Sequence, residues 1–513
     1  METTSESRPL LERVPPRWRP VVVLALPLAA LLGLWFIGRF HRDEPVTYKS
    51  SEEHFKYGST GGERSAGIPY WVWQALPSLF PDFLPGGKCD PAKPYAAFGF
   101  LYEPGKKLPI GVSRRNVQGL DRVFLNCAVC HVGTYRTRPE DEPRIVVGMP
   151  ANGLDLQAFE RFLFNTATDE RFSPGRIMQE IERLGGDLDS LNENALRELG
   201  VYLMRDRFLL LRTRFAFMDR EPDCGPGRVD TFNPPKVLMN FRMDKLPERE
   251  WVGNCDLPAI WYQRQKEGMQ LHWDGNNTSV EERNRSAAFG TGANPPTLDR
   301  PSMRRMEEYI RDEARPAPFP VDKIDRALAA RGEPLYLQHC GECHGRSGTD
   351  FSGRYVGKVT PIDEVKTDRH RLDSYTYELC ANQGQLYTGY ESERFKNFRK
   401  TFGYANMPLD GLWLRAPYLH NGSVPTLRDL MNKAAQRPKK FFRGYDVYDF
   451  KNVGFLSNVA EEGGRKFFEF DTQERPGKDP RERNEGNANI GHEYGTDLPN
   501  ADKDAIVEFL KTF

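Results

Sequence analysis

The sequence has 513 residues with 72 basic and 72 acidic side chains, so its formal net charge at neutral pH is zero. A chain of this length can form two or three domains with cores of their own. Without an excess of basic charge it has no field that would attract nucleic acid, so we expect no nucleic-acid partner. Aromatic residues make up 12% of the chain, which suits the wall of a large flat cofactor as well as an ordinary core.

The first predicted element is a membrane segment. Residues 21–37 carry no charge, and with their flanks up to residue 40 they are long enough to cross a bilayer as a helix. The preceding arginines are Arg8, Arg13, Arg17 and Arg19. This basic flank predicts a cytoplasmic tail at 1–20, an anchor in the bacterial inner membrane at 21–40 and a periplasmic location for the rest. A cleaved signal peptide is the alternative, but residues 38–42 lack a small-x-small cleavage site.

The remaining chain divides at a stiff, proline-rich linker. We predict a polar tether at 41–65, an N-terminal domain at 66–320 and a C-terminal domain at 321–513, with Arg315–Pro320 at the boundary. The fold class is expected to be mainly α, with a transmembrane helix followed by two domains with long irregular loops. In the C-terminal domain, a helix at 321–330, ahead of the segment at 332–340, and another at 501–513 are expected to pack across each other.

Two further stretches are predicted to be irregular. Residues 68–87 are aromatic but interrupted by prolines, which favours a loop. Residues 269–290 mix polar, aromatic and small side chains without a helical or strand period, which is typical of a structured functional loop.

The pentapeptide Cys-x-x-Cys-His occurs twice, at 127–131 and at 340–344. Two thiols at this spacing can bond to the two vinyl groups of one porphyrin, and the following histidine is then the proximal iron ligand. A zinc site would require two Cys-x-x-Cys pairs close together, whereas these copies lie far apart. The sequence therefore predicts two covalently bound c-type haems. The domain at 66–320 is thus predicted to be an N-terminal haem domain and the domain at 321–513 a C-terminal cytochrome c domain, so that the mainly α fold contains two cytochrome c-like haem domains. The residues that bind them are Cys127, Cys130 and His131 for the first haem, and Cys340, Cys343 and His344 for the second.

Four cysteines lie outside the two motifs: Cys89, Cys224, Cys255 and Cys380. Cytochromes of this type are assembled outside the cytoplasm, where thiols can oxidise. We therefore expect a Cys224–Cys255 disulfide first and a Cys89–Cys380 disulfide second. Free buried cysteines are the alternative.

Several further segments carry a resemblance to a known family. They are Phe55–Ser59, Gly67–Trp71, Leu271–Asn277, Ser286–Gly290, Ala416–Leu427 and Gly491–Gly495. With them the chain resembles the dihaem cytochromes related to rubber oxygenases, which are themselves relatives of bacterial dihaem cytochrome c peroxidases. The segment Pro417–Gly422 is shared with the peroxidases generally, whereas the segments between the two haem motifs are particular to the oxygenase-related branch.

The resemblance implies different surroundings for the two irons. It implies that the haem on His131 has an open or oxygen-binding sixth position and that the haem on His344 is closed by a second histidine. His492, near the C-terminus, is the expected ligand there, and His420 and Met407 are the alternatives. The metal ligands expected are thus His131, His344 and His492.

Two aromatic residues match family positions between or over the haems. Trp273 is expected to carry an electron between the irons, and Phe289 is expected to shape the distal pocket of the first haem. Ordinary aromatic packing is the alternative for each.

The expected function is that of an oxidoreductase. The first haem would bind dioxygen or hydrogen peroxide, and the second would transfer electrons to or from a periplasmic or membrane redox partner. The alternatives are a dihaem cytochrome c peroxidase and a non-catalytic electron carrier. Candidates for proton transfer to peroxide are Glu281, Glu282, His272 and His54; His54 or His272 bound to the first iron would instead favour the carrier. An extracellular polymer such as rubber is not expected as substrate of a membrane-held protein.

Overall fold

The computed structural model describes residues 14–477 and 479–513. About 43% of the chain is helical and the sheets are small, which confirms the mainly helical prediction at this level. Most of the tail predicted at 1–20 lies outside the described residues.

The helices are short and distributed along the whole chain. Their bounds are α1 Arg19–Phe40, α2 Ser51–Tyr57, α3 Gly62–Ser65, α4 Tyr70–Leu79, α5 Leu156–Thr168, α6 Pro174–Arg183, α7 Ser190–Ala195, α8 Val201–Arg214, α9 Asn233–Leu238, α10 Val280–Gly290, α11 Arg300–Asp312, α12 Arg326–His339, α13 Gly341–His344, α14 Ile362–Val365, α15 His370–Ser374, α16 Tyr377–Gly384, α17 Leu427–Leu430 and α18 Asn500–Leu510.

The strands form one sheet of four, in the order β1-β3-β4-β2, and several antiparallel pairs. The strand bounds are β1 Asp43–Pro45, β2 Ile68–Pro69, β3 Val112–Val117, β4 Leu120–Leu125, β5 Val132–Tyr135, β6 Arg144–Val147, β7 Arg228–Asp230, β8 Asn254–Asp256, β9 Val359–Pro361, β10 Gly403–Ala405, β11 Lys440–Arg443, β12 Tyr448–Asp449, β13 Gly454–Phe455, β14 Glu461–Glu462, β15 Arg465–Lys466 and β16 Phe468–Asp471.

The N-terminal helix is apolar and packs against almost nothing. A short 3-10 turn leads into α1, and together they span Pro16–Phe40 with a mean hydropathy of 2.5 and no buried residue in their apolar part. Residues 21–40, predicted from the sequence to form the anchor, lie within this helix. Its length and composition are those of a signal sequence or a membrane anchor.

The stretch predicted as a tether contains packed elements. Strand β1 pairs with β3, with Asp43 opposite Val117. In α2, Phe55 and Tyr57 are buried. Residues 43–57 are therefore held against the body of the protein.

Two hydrophobic cores organise the body. One gathers N-terminal aromatic residues such as Trp73 and Phe159. The other combines Trp261 and Met306 with Trp413, from the far side of the linker at 315–320. The two predicted haem regions thus share one core.

Helices α12 and α18 pack closely against each other, as expected, although the first of them begins and ends later than the predicted 321–330. A Cβ at Gly332 would lie 1.9 Å from the carbonyl oxygen of Ala505, so only glycine permits this approach. Helix α12 begins at Arg326, where the Asp325 carboxylate accepts a hydrogen bond from the backbone N–H of Leu328 at 3.0 Å.

The predicted disulfides and the predicted loop at 68–87 are wrong. Neither expected disulfide forms: the thiol of Cys224 lies 3.3 Å from Asn254 Oδ1 instead, and Cys89, Cys255 and Cys380 are also free. The stretch 68–87, expected to be irregular, contains the regular helix α4.

Candidate haem sites

The first Cys-x-x-Cys-His motif lies in a turn between strands. Cys127–Val129 form a 3-10 turn after β4, and His131 immediately precedes β5. Asn126 caps this turn: its Oδ1 accepts a hydrogen bond from the N–H of Ala128 at 2.9 Å, and its Nδ2 donates to the carbonyl of Gly58 at 2.8 Å. The buried amide therefore fixes the turn against the end of α2.

The imidazole of His131 has a fixed orientation. Its Nδ1 lies 2.9 Å from the carbonyl oxygen of Pro258, which can only accept, so Nδ1 donates and Nε2 keeps its lone pair. Loss of hydration lowers the pKa of His131 to about 4. The ring is thus neutral at neutral pH and can bind a metal through Nε2.

The second motif lies at the end of a helix and opens into a cavity. Cys340 follows α12, and Gly341–His344 form the short helix α13. The Nδ1 of His344 donates to the carbonyl of Met407 at 2.8 Å, the same arrangement as at His131. The adjoining cavity has a volume of about 220 Å³, and its wall includes Cys340, Cys343 and His344.

His492 lies on the same cavity, opposite His344. The ring centroids of these two histidines are 6.1 Å apart. Two imidazoles bound to one metal from opposite sides, with nitrogen–metal bonds of about 2 Å, would have centroids on the order of 6 Å apart. Burial lowers the pKa of His492 to about 3, so this ring is also neutral. The spacing fits one iron between the two rings.

The backbone holds His492 in a strained conformation. Its φ is 50°, in the left-handed region, and its N–H donates to the carbonyl of Val365 at 2.8 Å. The preceding Gly491 has φ 72°, and a Cβ there would lie 2.3 Å from the carbonyl carbon of Lys366. Such strain is typical of functional positions, and it explains the glycine in the Gly-His-x-Tyr-Gly pattern.

The two alternatives to His492 also line the cavity. The backbone carbonyl of Met407 accepts the hydrogen bond from His344 Nδ1, so Met407 lies on the His344 side of the cavity. The Nε2 of His420 lies 3.0 Å from the Tyr404 hydroxyl, and the two rings stack at 4.0 Å. Of the two histidines, His492 has its ring in contact with the ring of His344, whereas the ring of His420 stacks on Tyr404.

A short segment after β8 connects the two sites. Pro258 accepts the hydrogen bond of His131, and two residues earlier the carbonyl of Asp256 accepts one from Trp273 Nε1 at 2.8 Å. Trp273 also lines the second cavity. Trp273 thus contacts the second cavity and the strand end that leads to Pro258, and its role between the sites stays a prediction.

Phe289, predicted to shape the distal pocket of the first haem, does not belong to the segment that connects the two sites. It lies near the end of α10 and is partly exposed, whereas the neighbouring Ala288 is buried in the same core as Ala128 of the first motif. Helix α10 also replaces part of the loop expected at 269–290. It begins after Ser279, whose hydroxyl accepts from the N–H of Glu282 at 3.4 Å.

Sequence reasoning missed two arginines next to the sites. Arg283 is close enough to His131 to lower the pKa of His131, and its own Nη1 is buried without a hydrogen-bond partner among the described residues. Arg415 lines the second cavity; its Nη2 pairs with Asp410 Oδ1 at 2.7 Å and its Nη1 donates to the carbonyl of Pro408, while its Nε is buried without a described partner. Guanidinium groups pair with carboxylates, and each haem has two propionate carboxylates, so the free Nη1 donor of Arg283 and the Nε of Arg415 fit a haem at each site. Arginine is too common for sequence alone to select these two.

The four residues expected to transfer protons are engaged elsewhere. The Glu282 carboxylate accepts hydrogen bonds from the backbone N–H groups of Lys396 and Asn397, and Glu281 forms an ion pair with Arg285. The ring of His272 accepts a hydrogen bond from Arg371. The Nε2 of His54 lies 2.9 Å from Ser302 Oγ. Glu307 is a better candidate at the first site. Burial raises its pKa to about 7, and its charge acts on Cys127.

Comparisons with known proteins support a cytochrome c-like protein. The family described as "RoxA-like, cytochrome c-like" matches residues 403–443, which include Met407, Arg415 and His420. This match suggests a haem protein and implies c-type haem.

Two proteins of Sinorhizobium fredii (strain NBRC 101917 / NGR234) are similar to the chain. The uncharacterized protein y4iM is 30% identical over 258 residues, which is 47% of this chain and 59% of that protein. The uncharacterized protein y4iJ is 33% identical over 173 residues, 32% of this chain and 26% of that protein. The chain thus spans less than two thirds of either relative.

Proposed function

We propose that the protein is a dihaem c-type cytochrome with oxidoreductase activity, held on the periplasmic side of the bacterial inner membrane by α1. The haems would be attached in an N-terminal domain at 66–320 and a C-terminal domain at 321–513. The observation that carries this proposal is the asymmetry of the two motifs. His492 faces His344 at 6.1 Å, whereas no described histidine ring packs against His131.

The residues of the two sites would have different chemical roles. A c-type haem with an open position binds dioxygen or peroxide, and one held by two histidines transfers electrons. His131 would bind the iron of the first haem, and the hydrogen bond to the carbonyl of Pro258 would orient its ring. Arg283 would pair with a haem carboxylate there, and Glu307 would hold or donate a proton.

His344 and His492 would close the second site, so that no substrate reaches its metal. Arg415 would pair with a haem carboxylate in the cavity. Trp273, hydrogen-bonded to Asp256 and lining the same cavity, would carry electrons between the sites. A periplasmic or membrane redox partner would exchange electrons with the second haem.

The test is the electron paramagnetic resonance spectrum of the purified, oxidised holoprotein at low temperature. One high-spin and one low-spin signal are expected. Peroxide added to the oxidised protein, or dioxygen added after reduction, should then change only the optical absorption of the high-spin haem, and the oxidant that does so distinguishes a peroxidase from an oxygenase. Two low-spin signals that neither oxidant changes would overturn the catalytic proposal and indicate an electron carrier.

A further inference from the structure

One long helix outside the haem sites presents apolar side chains to solvent. Helix α7, a π-helical turn at Leu196–Gly200 and α8 run without a break from Ser190 to Arg214. The inward face is buried in the N-terminal core through Leu196, Val201, Met204 and Phe208.

The outward face of this helix is also apolar. Leu199, Leu203 and Leu210 are 58%, 57% and 58% exposed, and Tyr202 is 54% exposed. Residues four and seven apart lie on one side of a helix, so the three leucines form one stripe. Exposed leucines in such a row are costly in water, and they require an apolar partner.

The start of this helix is joined to the end of α1. Arg39 donates to Asp189 Oδ2 at 3.0 Å and to Asn192 Oδ1 at 2.8 Å, and Asp189 caps α7 by accepting from the N–H of Asn192. Arg39 also lies over the ring of Trp35. An arginine and a tryptophan at the end of an apolar helix are typical of the membrane–water interface, so α7 begins at the level where α1 would leave the bilayer.

The charges along the stripe match a lipid surface. Arg207 lies between Leu203 and Leu210, and its charge lowers the pKa of Arg122 on β4. Within residues 14–477 and 479–513, neither Arg207 nor Arg122 forms an ion pair. One acidic residue, Asp206, also lies on this side, four residues before Leu210. The segment as a whole carries five arginines against three acidic residues, and leucines within such a net-basic segment are typical of helices that lie in the interface of anionic membranes.

We propose that the segment Ser190–Arg214 is a second membrane contact, lying on the bilayer beside α1 with Leu199, Leu203 and Leu210 among the lipid headgroups and upper acyl chains. The inference rests on the proposed membrane location. It would fix the orientation of the haem domains on the membrane, because a second contact prevents rotation of the body about the axis of α1.

The test is photocrosslinking of the full-length holoprotein in vesicles of phosphatidylethanolamine and phosphatidylglycerol. Tyr202→p-benzoylphenylalanine places the probe on the stripe. Tyr355→p-benzoylphenylalanine is the matched control, because Tyr355 is an exposed tyrosine (38%) beside the second haem motif. We expect several-fold more lipid adduct, measured by mass spectrometry, at position 202 than at 355.

Equal adduct at both positions, or none at 202, would overturn the proposal. The intact mass of the same sample reports whether α1 is retained, which tests the membrane location separately. Adduct at 202 in a chain that has lost α1 would support the surface contact and refute the anchor. Retained α1 without adduct at 202 would refute the surface contact alone.

Discussion

The two Cys-x-x-Cys-His motifs have the same pattern on different backbones. The first lies in a 3-10 turn between β4 and β5, and the second closes α12 and forms α13. In both, the histidine Nδ1 donates to a distant backbone carbonyl, at Pro258 and at Met407. The motif would therefore determine the attachment of a haem and its proximal side alone.

The distal sides differ because other segments supply them. At the second motif a strained loop carries His492 to the opposite side of the cavity. At the first motif, α10 and α11 contribute the buried Ala288, Met303 and Met306 to the surrounding core. An imidazole facing one motif and apolar groups near the other would make one iron closed and the other reactive.

The largest expected effect comes from removing the attachment cysteines of each motif in turn. Cys127→Ser with Cys130→Ser, and separately Cys340→Ser with Cys343→Ser, should each lower the haem content from two per chain to one. The pyridine haemochrome assay combined with the protein concentration measures this ratio. A wild-type ratio of one, or a pair whose loss leaves the ratio unchanged, would contradict two attached haems.

Removing His492 should make the two sites alike. His492→Ala leaves the second iron with His344 as its single protein ligand, so its low-spin paramagnetic signal should be replaced by a high-spin one. His420→Ala is the matched control, because His420 lines the same cavity but bonds to Tyr404. If His420→Ala rather than His492→Ala abolishes the low-spin signal, His420 is the ligand.

Local features of the sites could be predicted from sequence. The haem motifs are five residues long, and α18 follows from its amphipathic spacing. Helix α4 could not be predicted, because its prolines depend on their surroundings. Pro69 lies just before the helix, and the carbonyl of Trp73, left without a donor by Pro77, accepts from the Tyr95 hydroxyl at 2.6 Å.

Long-range features could not be obtained from sequence at all. The burial of Arg283 and Arg415, and the absence of a Cys224–Cys255 bond, depend on how distant segments meet. For His492 the family resemblance supplied the expectation, and the structure adds the spacing from His344. The connection from Pro258 through Asp256 to Trp273 appears only in the fold.

A change at Trp273 tests whether the two sites communicate through this connection. Trp273→Phe removes the hydrogen bond to Asp256 and should slow electron transfer between the haems on the order of tenfold, equivalent to about 1.4 kcal/mol in the barrier. Flash photoreduction followed at two wavelengths measures this rate. Trp251→Phe is the control, since Trp251 also donates to a backbone carbonyl, that of Leu246 at 3.0 Å. Equal rates in both variants would exclude Trp273 from the path.

The smallest expected effect is a pH dependence confined to the second site. Burial acts to lower the pKa of His370, but the carboxylates of Asp368 and Glu474 outweigh it and raise this pKa to about 9. A pKa raised above the unfolded value of 6.5 stabilises the fold fully below pH 6.5, and this contribution disappears as the pH rises through about 9. For this largely buried side chain we expect about 1–2 kcal/mol.

This contribution should be visible at the second haem because His370 lies five residues after Val365, whose carbonyl accepts the hydrogen bond from the backbone N–H of His492. His370→Gln should therefore lower the urea concentration at which the low-spin signal is lost at pH 6 but not at pH 10, while the first haem serves as the internal reference. Asp368→Asn should remove the same pH dependence, since it removes the carboxylate charge that pairs with His370. An equal loss at both pH values would mean that His370 stabilises the second site by packing rather than by its charge.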